Sequence, residues 1–196
     1  YKRQAGVPRG VFQVLPGDGP SVGEPLGRHM DVDLVSFTGS TETGRRFLQY
    51  AADSNLKKVV LECGGKNRAL VFDDAENLDH VAEHVVNGAF WNAGQNCSAT
   101  SRLIVHSAVK AALLDKINAR IREWKVGNPL DPANHIGALI DKDHCSKVRS
   151  YLDDKGDGPF ISPTVFEVEA DDQRARDEIF GPVLCVITVD SNDKAV

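Results

Sequence analysis

Short apolar runs alternating with amphipathic helical stretches constrain this chain more than any other feature. Residues 78–90 are the clearest case. Leu78, Val81, Ala82, Val85, Val86, Ala89 and Phe90 recur at the i, i+3, i+4, i+7 spacing of one buried helix face. Asp79, His80, Glu83, His84 and Asn87 fill the opposite side. A second helix carries the stripe Val109, Ala112, Leu113, Ile117, Ile121 and Trp124. Compact apolar runs at 11–15, 33–37, 57–61, 69–72, 102–106, 163–168 and 183–189 read as strands, and 142–152 as a weaker helix. Residues 42–52 read as a helix capped by Ser40 or Thr41, 1–5 as a last helical turn and 154–159 as a Gly/Asp turn. This alternation predicts an α/β chain of largely parallel sheets with flanking helices. The pair Gly64-Gly65 follows a buried strand, and the expected seam divides 1–63 from 64–196.

Charge and cysteine usage narrow the function classes. The formal charge is -5, and no basic stripe interleaves with aromatics, so a nucleic-acid partner is not expected. No apolar run approaches the ~20 residues that span a bilayer. Cys63, Cys97, Cys145 and Cys185 are scattered without a CxxC pair, which reads as reduced thiols in a cytoplasmic protein rather than disulfides or a metal ribbon. The opening YKRQAGVPRG has no signal-peptide core, and both ends read as cut from something longer.

Five segments carry candidate chemistry. FTGSTETG, residues 37–44, delivers a strand into a small-residue turn and then a helix. Such a helix start suits an anion, with Ser40 adding a hydroxyl donor, although a plain capped turn fits as well. The segment is neither a Walker A loop nor GxGxxG. In VVLECGGKN, Glu62 closes a strand; burial there would raise its pKa towards that of a general base. The alternative is a strand-end carboxylate paired to Lys66 or solvated. In WNAGQNCSATSR, Cys97 stands among Gly94, Gln95, Asn96 and Ser98, whose backbone N–H groups are expected to be free for an oxyanion. Arg102 is the one cation nearby, and a buried packing thiol is the competing reading. Cys63, Cys145 and Cys185 fit that packing role better. In DEIFGPV, Glu178 is placed to accept from sugar hydroxyls and Phe180 to pack on a ring, against the alternative of a loop before an edge strand. Finally, His80-Val81-Ala82-Glu83-His84 is an HxxEH pattern, which raises a metallohydrolase. Its residues lie on the polar helix face, so a solvated surface is the better reading and no metal is expected.

The order FTGSTETG, LECGGKN, GQNCSATSR, EIFGPV resembles the NAD(P)-dependent aldehyde dehydrogenase superfamily along essentially the whole chain, as does WKVGNPLDPANHIGALID at 124–141. The resemblance implies part of a Rossmann-like cofactor domain at 1–63 and most of a catalytic α/β domain at 64–196. It implies that Cys97 adds to an aldehyde carbon, that an oxyanion is held by backbone N–H and a side-chain amide, that NAD or NADP takes the electrons, and that Glu62 activates the water that releases the acid. It further implies cofactor roles for Gly39 and Ser40 at the pyrophosphate, Thr43 with Gly44 towards the adenine side, the backbone of Cys63 at the nicotinamide amide, Glu178 at its ribose and Phe180 beside the ring. A homo-oligomer, dimer or tetramer, follows from the same resemblance. WKVGNPLDP and GQNCSA look like the branch acting on amino-aldehydes. The family's upstream oxyanion asparagine, its adenine-ribose segment and its C-terminal arm have no counterpart here, and LDDKGDGPF is shorter than the family loop. An inactive family member serving as a structural or interaction piece is therefore the alternative reading. Acyl transfer to coenzyme A is disfavoured by the presence of Glu62.

Overall fold

The computed structural model describes residues 4–152 and 156–195. The chain divides into two compact units, Tyr1–Gly64 and Gly65–Val196.

The first unit is built on a parallel pair, β1 (Leu34–Gly39) and β2 (Lys58–Cys63), in register from Leu34 opposite Lys58 to Gly39 opposite Cys63. A short α1 (Glu24–Arg28) precedes them, and α2 (Thr41–Ala52) crosses between them. Phe47 and Ala51 are the buried apolar anchors of α2. The Phe47 ring lies 4.9 Å from Phe37 and 5.8 Å from Tyr50. Lys57 is buried and satisfied, its ammonium donating to the Gly27 carbonyl at 2.6 Å and the Ser54 hydroxyl at 2.7 Å. Residues 11–15, expected as a strand, are irregular and exposed, with Val11 and Val14 each about 70% accessible. Apolar content alone does not make a strand; a paired ladder is needed, and the described residues of this unit supply one only between β1 and β2.

The second unit carries a four-stranded, all-parallel sheet in the order β3 (Arg68–Val71), β4 (Arg102–His106), β6 (Val183–Val189), β5 (Thr164–Glu167). The first five residues of the interior strand β6 are all buried, as a parallel strand covered on both faces requires. α3 (Leu78–Phe90) and α4 (Ser107–Glu123) pack against each other and against β6, and α4 also meets β4. α5 (Lys142–Leu152) and the one-turn α6 (Gln173–Arg176) complete the unit. The core gathers Phe90, Val86, Leu103, Val105, Leu113, Ile117, Leu184 and Val186. One stripe position differs from expectation. Ala112 is exposed, and Leu114 packs on the core instead, so the buried face of α4 is centred one residue later. The expected helical turn at 1–5 and the turn at 154–159 fall partly on residues 1–3 and 153–155, outside the described residues. No helix among the described residues is long and apolar enough to cross a membrane.

Two outcomes follow. Leu103 is wholly buried in β4. Leu103→Ala is expected to cost about 2–5 kcal/mol of stability in a denaturant titration. At the start of α6, hydrogen bonds from Arg174 hold the Asp172 carboxyl down to about 2. A carboxylate depressed when folded stabilises above its ordinary pKa of about 3.9 and loses that contribution as pH falls towards 2. Asp172→Asn is expected to flatten the acid limb of a pH–stability curve over that interval.

Candidate active site

The site in the second unit begins where α3 ends. Asn92, Ala93 and Gly94 follow with φ of 53°, 57° and 68°, three consecutive left-handed residues. Glycine accepts that region freely, whereas a non-glycine there costs about 1–3 kcal/mol and persists only when its surroundings enforce it. Here they do. Ala93 is 3% exposed, the Asn92 amide donates to the Gln95 carbonyl at 3.0 Å, and Gly94 lies against Gly181. A Cβ on Gly94 would stand 2.1 Å from the Gly181 oxygen. The Gln95 side-chain oxygen accepts from the Ile140 N–H at 3.0 Å, tying the turn to the segment before α5.

Cys97 is exposed on this turn, while Cys145 and Cys185 are buried and Cys63 is half-buried, less enclosed than a packing thiol was expected to be. The two peptide planes flanking Cys97 are almost fully engaged. The Asn96 carbonyl accepts from Ala99 N–H at 3.0 Å, Ser98 N–H donates to the Asn96 side-chain oxygen at 3.2 Å, and the Cys97 carbonyl accepts from the Asn67 amide at 2.8 Å. The fourth group, the N–H of Cys97 itself, meets no acceptor among the described residues. Of the neighbours expected to leave their N–H groups open, Gln95 and Ser98 do not, whereas the Asn96 N–H meets no acceptor among the described residues. Gln95 N–H donates to Asn92 and Ser98 N–H to Asn96, because so tight a turn closes on itself. Arg102 is turned away from the thiol, its guanidinium donating to the Lys66 carbonyl.

Glu178 and Phe180 are half-buried beside that turn through the Gly94–Gly181 contact. The Glu178 carboxylate accepts from Gly65 N–H at 3.1 Å, and its carbonyl accepts from the Lys147 ammonium at 3.1 Å. Phe180 is itself left-handed, with φ of 60°, and its carbonyl lies 2.6 Å from the His144 Nε2. Lys66 is the electrostatic exception. Its Nζ is buried without a hydrogen-bond partner among the described residues, and burial, with the nearby charge of Arg102, pushes its pKa down, while the charges of Asp177 and Glu178 act the other way. Asn67, His144 and Lys147 join the site although sequence reasoning passed over them. Asn67 stood inside the quoted LECGGKN; His144 and Lys147, on a weakly patterned helix, carried no local signal. The segments 65–67, 94–101 and 178–182 all precede strands β3, β4 and β6, so they share one end of the sheet.

The first unit holds the other expected residues. Ser40 caps α2: its oxygen accepts from Thr43 N–H at 3.2 Å, and its hydroxyl, expected as a ligand donor, donates to the Thr43 hydroxyl at 3.0 Å. Gly39 ends β1; Gly44 is buried, and a Cβ there would sit 3.0 Å from the Cys63 sulfur, so its bareness lets α2 pack on β2. A cleft of about 530 Å³ opens beside Thr43, lined by Gly19, Pro20, Phe37, Phe47 and Tyr50 among others. Glu62 is exposed on the outward alternation of β2, where burial was expected. The HxxEH residues stay on the surface of α3. His80 and His84 meet ring to ring at 3.0 Å, Glu83 pairs with Arg120 at 3.8 Å, and no group of three or more metal-ligating side chains occurs among the described residues.

Comparison with known proteins adds an independent line. The model of the aldehyde dehydrogenase family matches residues 2–196. An aminoacetaldehyde dehydrogenase of Pseudomonas aeruginosa is 57% identical over 98% of this chain and 42% of its own length. The NADP/NAD-dependent aldehyde dehydrogenase PuuC of Escherichia coli is 39% identical over 99% of this chain and 42% of its own. Among solved structures, the gamma-glutamyl-gamma-aminobutyraldehyde dehydrogenase of Burkholderia cenocepacia superposes with a TM-score of 0.94 at 43% identity, covering 99% of this chain and 42% of that one. The indole-3-acetaldehyde dehydrogenase AldA of P. syringae, solved in complex with NAD+ and IAA, gives 0.93 at 39% identity, covering 98% and 43%. The chain thus spans about two fifths of the length of these relatives.

Gly94 supplies the test of this geometry. Gly94→Ala would drive a methyl group into the Gly181 carbonyl and add left-handed strain. It is expected to destabilise the second unit by about 2–4 kcal/mol, read as a lowered melting temperature, because neither backbone can retreat without moving Cys97 or Phe180.

Proposed function

Because the chain belongs to the aldehyde dehydrogenase family, we propose that the protein oxidises an aldehyde to a carboxylic acid with NAD+ or NADP+, using Cys97 as its nucleophile. The observation that carries this reading is the exposed thiol on a turn where the carbonyls of Asn96 and Cys97 and the N–H of Ser98 are engaged while the N–H of Cys97 meets no acceptor among the described residues. The thiolate adds to the aldehyde carbon, and that N–H donates to the oxygen that becomes anionic in the thiohemiacetal. Oxidation at the same carbon leaves a thioester on Cys97. The Glu62 carboxylate takes a proton from water, the resulting hydroxide attacks the thioester, and the acid departs with return of the thiolate. Glu62 is open to solvent, which suits a group that must receive a water molecule.

The residues present fit the cofactor. The first turn of α2 offers the unpaired N–H groups that every helix start leaves, next to Gly39 and Ser40, and suits a pyrophosphate. The cleft beside Thr43, walled by Pro20 and the rings of Phe37, Phe47 and Tyr50, suits a flat heterocycle. Glu178, Phe180 and the backbone of Cys63 complete the proposed set, and His144 and Lys147, which hold the carbonyls of Phe180 and Glu178, are added to it. When bound, the nicotinamide supplies the two-electron oxidant. The similarity to an aminoacetaldehyde dehydrogenase and a gamma-glutamyl-gamma-aminobutyraldehyde dehydrogenase supports an amino-aldehyde substrate. A cytoplasmic homo-oligomer completes the proposal, in keeping with four free cysteines.

Cys97→Ala is expected to abolish acid formation when the protein is assayed with a panel of amino-aldehydes and NAD+ or NADP+; turnover retained in that variant refutes the assignment. Glu62→Gln is expected to acylate normally but release acid about a hundredfold more slowly, so that a burst followed by a slow steady state appears in stopped-flow absorbance.

A further inference from the structure

We propose that Asn67 is a positioning residue for the nucleophile, a two-pronged clamp that fixes the backbone of Cys97 from a segment thirty residues away in sequence. Its side-chain amide donates to the Cys97 carbonyl at 2.8 Å and lies 3.5 Å from the Ala99 carbonyl, two residues further round the same turn. The other bonds that orient the peptides on either side of Cys97, from Ala99 N–H to the Asn96 carbonyl and from Ser98 N–H to the Asn96 side chain, are made within the turn. Such local bonds move with the turn and cannot fix it relative to the sheet. Asn67 can, because its own backbone is anchored. The Asn67 carbonyl accepts from Arg102 N–H at 3.2 Å at the start of the β3–β4 pairing, and the Arg102 guanidinium holds the neighbouring Lys66 carbonyl. The clamp therefore joins the sheet to the Cys97–Ser98 peptide, whose carbonyl it grips while Asn96 grips the N–H. With that plane fixed, ψ of Cys97 is fixed. With the preceding plane held through Asn96, so is φ, and the free Cys97 N–H keeps one direction. An amide suits this role because its NH2 has two hydrogens, one for each carbonyl, and no charge.

The role rests on Cys97 being the nucleophile, and its test separates the two claims. Asn67→Ala removes the clamp; Asn67→Asp keeps the shape but replaces the donor with oxygens that face two carbonyls. Amide hydrogen exchange, followed by peptide mass spectrometry, is expected to quicken about tenfold across residues 96–100 in both variants while residues 102–106 in β4 stay protected. In the same variants kcat for the aldehyde is expected to fall about tenfold with KM within about twofold, since the Cys97 N–H contributes most once the oxygen becomes anionic. Unchanged exchange in 96–100 overturns the clamp. A loosened turn with unchanged kcat overturns its positioning role. An Asp variant that behaves as Asn67 does shows that shape alone matters, and also overturns it. Protection of β4 reports that each variant is folded; should the Ala variant fail to fold, the isosteric Asp variant decides. Turnover retained by Cys97→Ala would instead remove the nucleophile assignment and leave the exchange result standing.

Discussion

The close approach of two backbones, at Gly94 and Gly181, is the constraint on which the rest of the site in the second unit depends. It joins the turn that carries Cys97 to the one that carries Glu178 and Phe180, with no side chain between them to act as a spacer. Both turns are left-handed, at Asn92–Gly94 and at Phe180, so each is poorly stable by itself and each limits how the other can relax. The helix core beneath supplies the rigidity. Phe90 and Ala89 at the end of α3 are buried, and the chain leaves that helix already committed in direction.

Lys57, buried as a whole, and Lys66, whose Nζ alone is buried, show how differently a charge can be accommodated. Lys57 finds a carbonyl and a hydroxyl at hydrogen-bond distance, so its burial is matched. Lys66 finds no such partner for its Nζ, and its ammonium is depressed by desolvation. What offsets the cost is field rather than contact. Asp177 and Glu178 lie near enough to favour its charged form, and it in turn helps hold the Asp177 carboxyl below the ordinary range, after the hydrogen bonds from Gln173 and Tyr151. Within LECGGKN, the lysine places a positive charge near Asp177 and Glu178, and the asparagine side chain donates to the Cys97 carbonyl.

Much of the scaffold was legible because it follows strong periodicity. α3, β4 and β6 occupy the bounds expected of them, α3 through its apolar stripe and the strands through compact apolar runs, and α5 does so despite its weaker pattern. The run at 11–15 looked equally strand-like and is not one, because pairing is non-local and composition carries no word of the partner. The site divided along the same line. Cys97, Glu178 and Phe180 were named from contiguous motifs, and the turns that carry them meet at Gly94 and Gly181. His144 and Lys147 act through backbone carbonyls more than thirty residues distant, contacts that only folding creates. Two of the N–H groups expected to be open, those of Gln95 and Ser98, are engaged for a related reason. A turn rich in small residues suggests open N–H groups, but whether they are open depends on side chains such as that of Asn96 folding back on them.

All four strands of the larger sheet run the same way, and the segments carrying Asn67, Cys97 and Phe180 enter it from one side. That polarity partitions the molecule for change. Connections leaving the strands at Val71, His106 and Val189 emerge on the far side, away from these segments. Loops there can lengthen, diverge or accept a grafted reporter peptide without touching the turns that carry Asn67, Cys97 and Phe180.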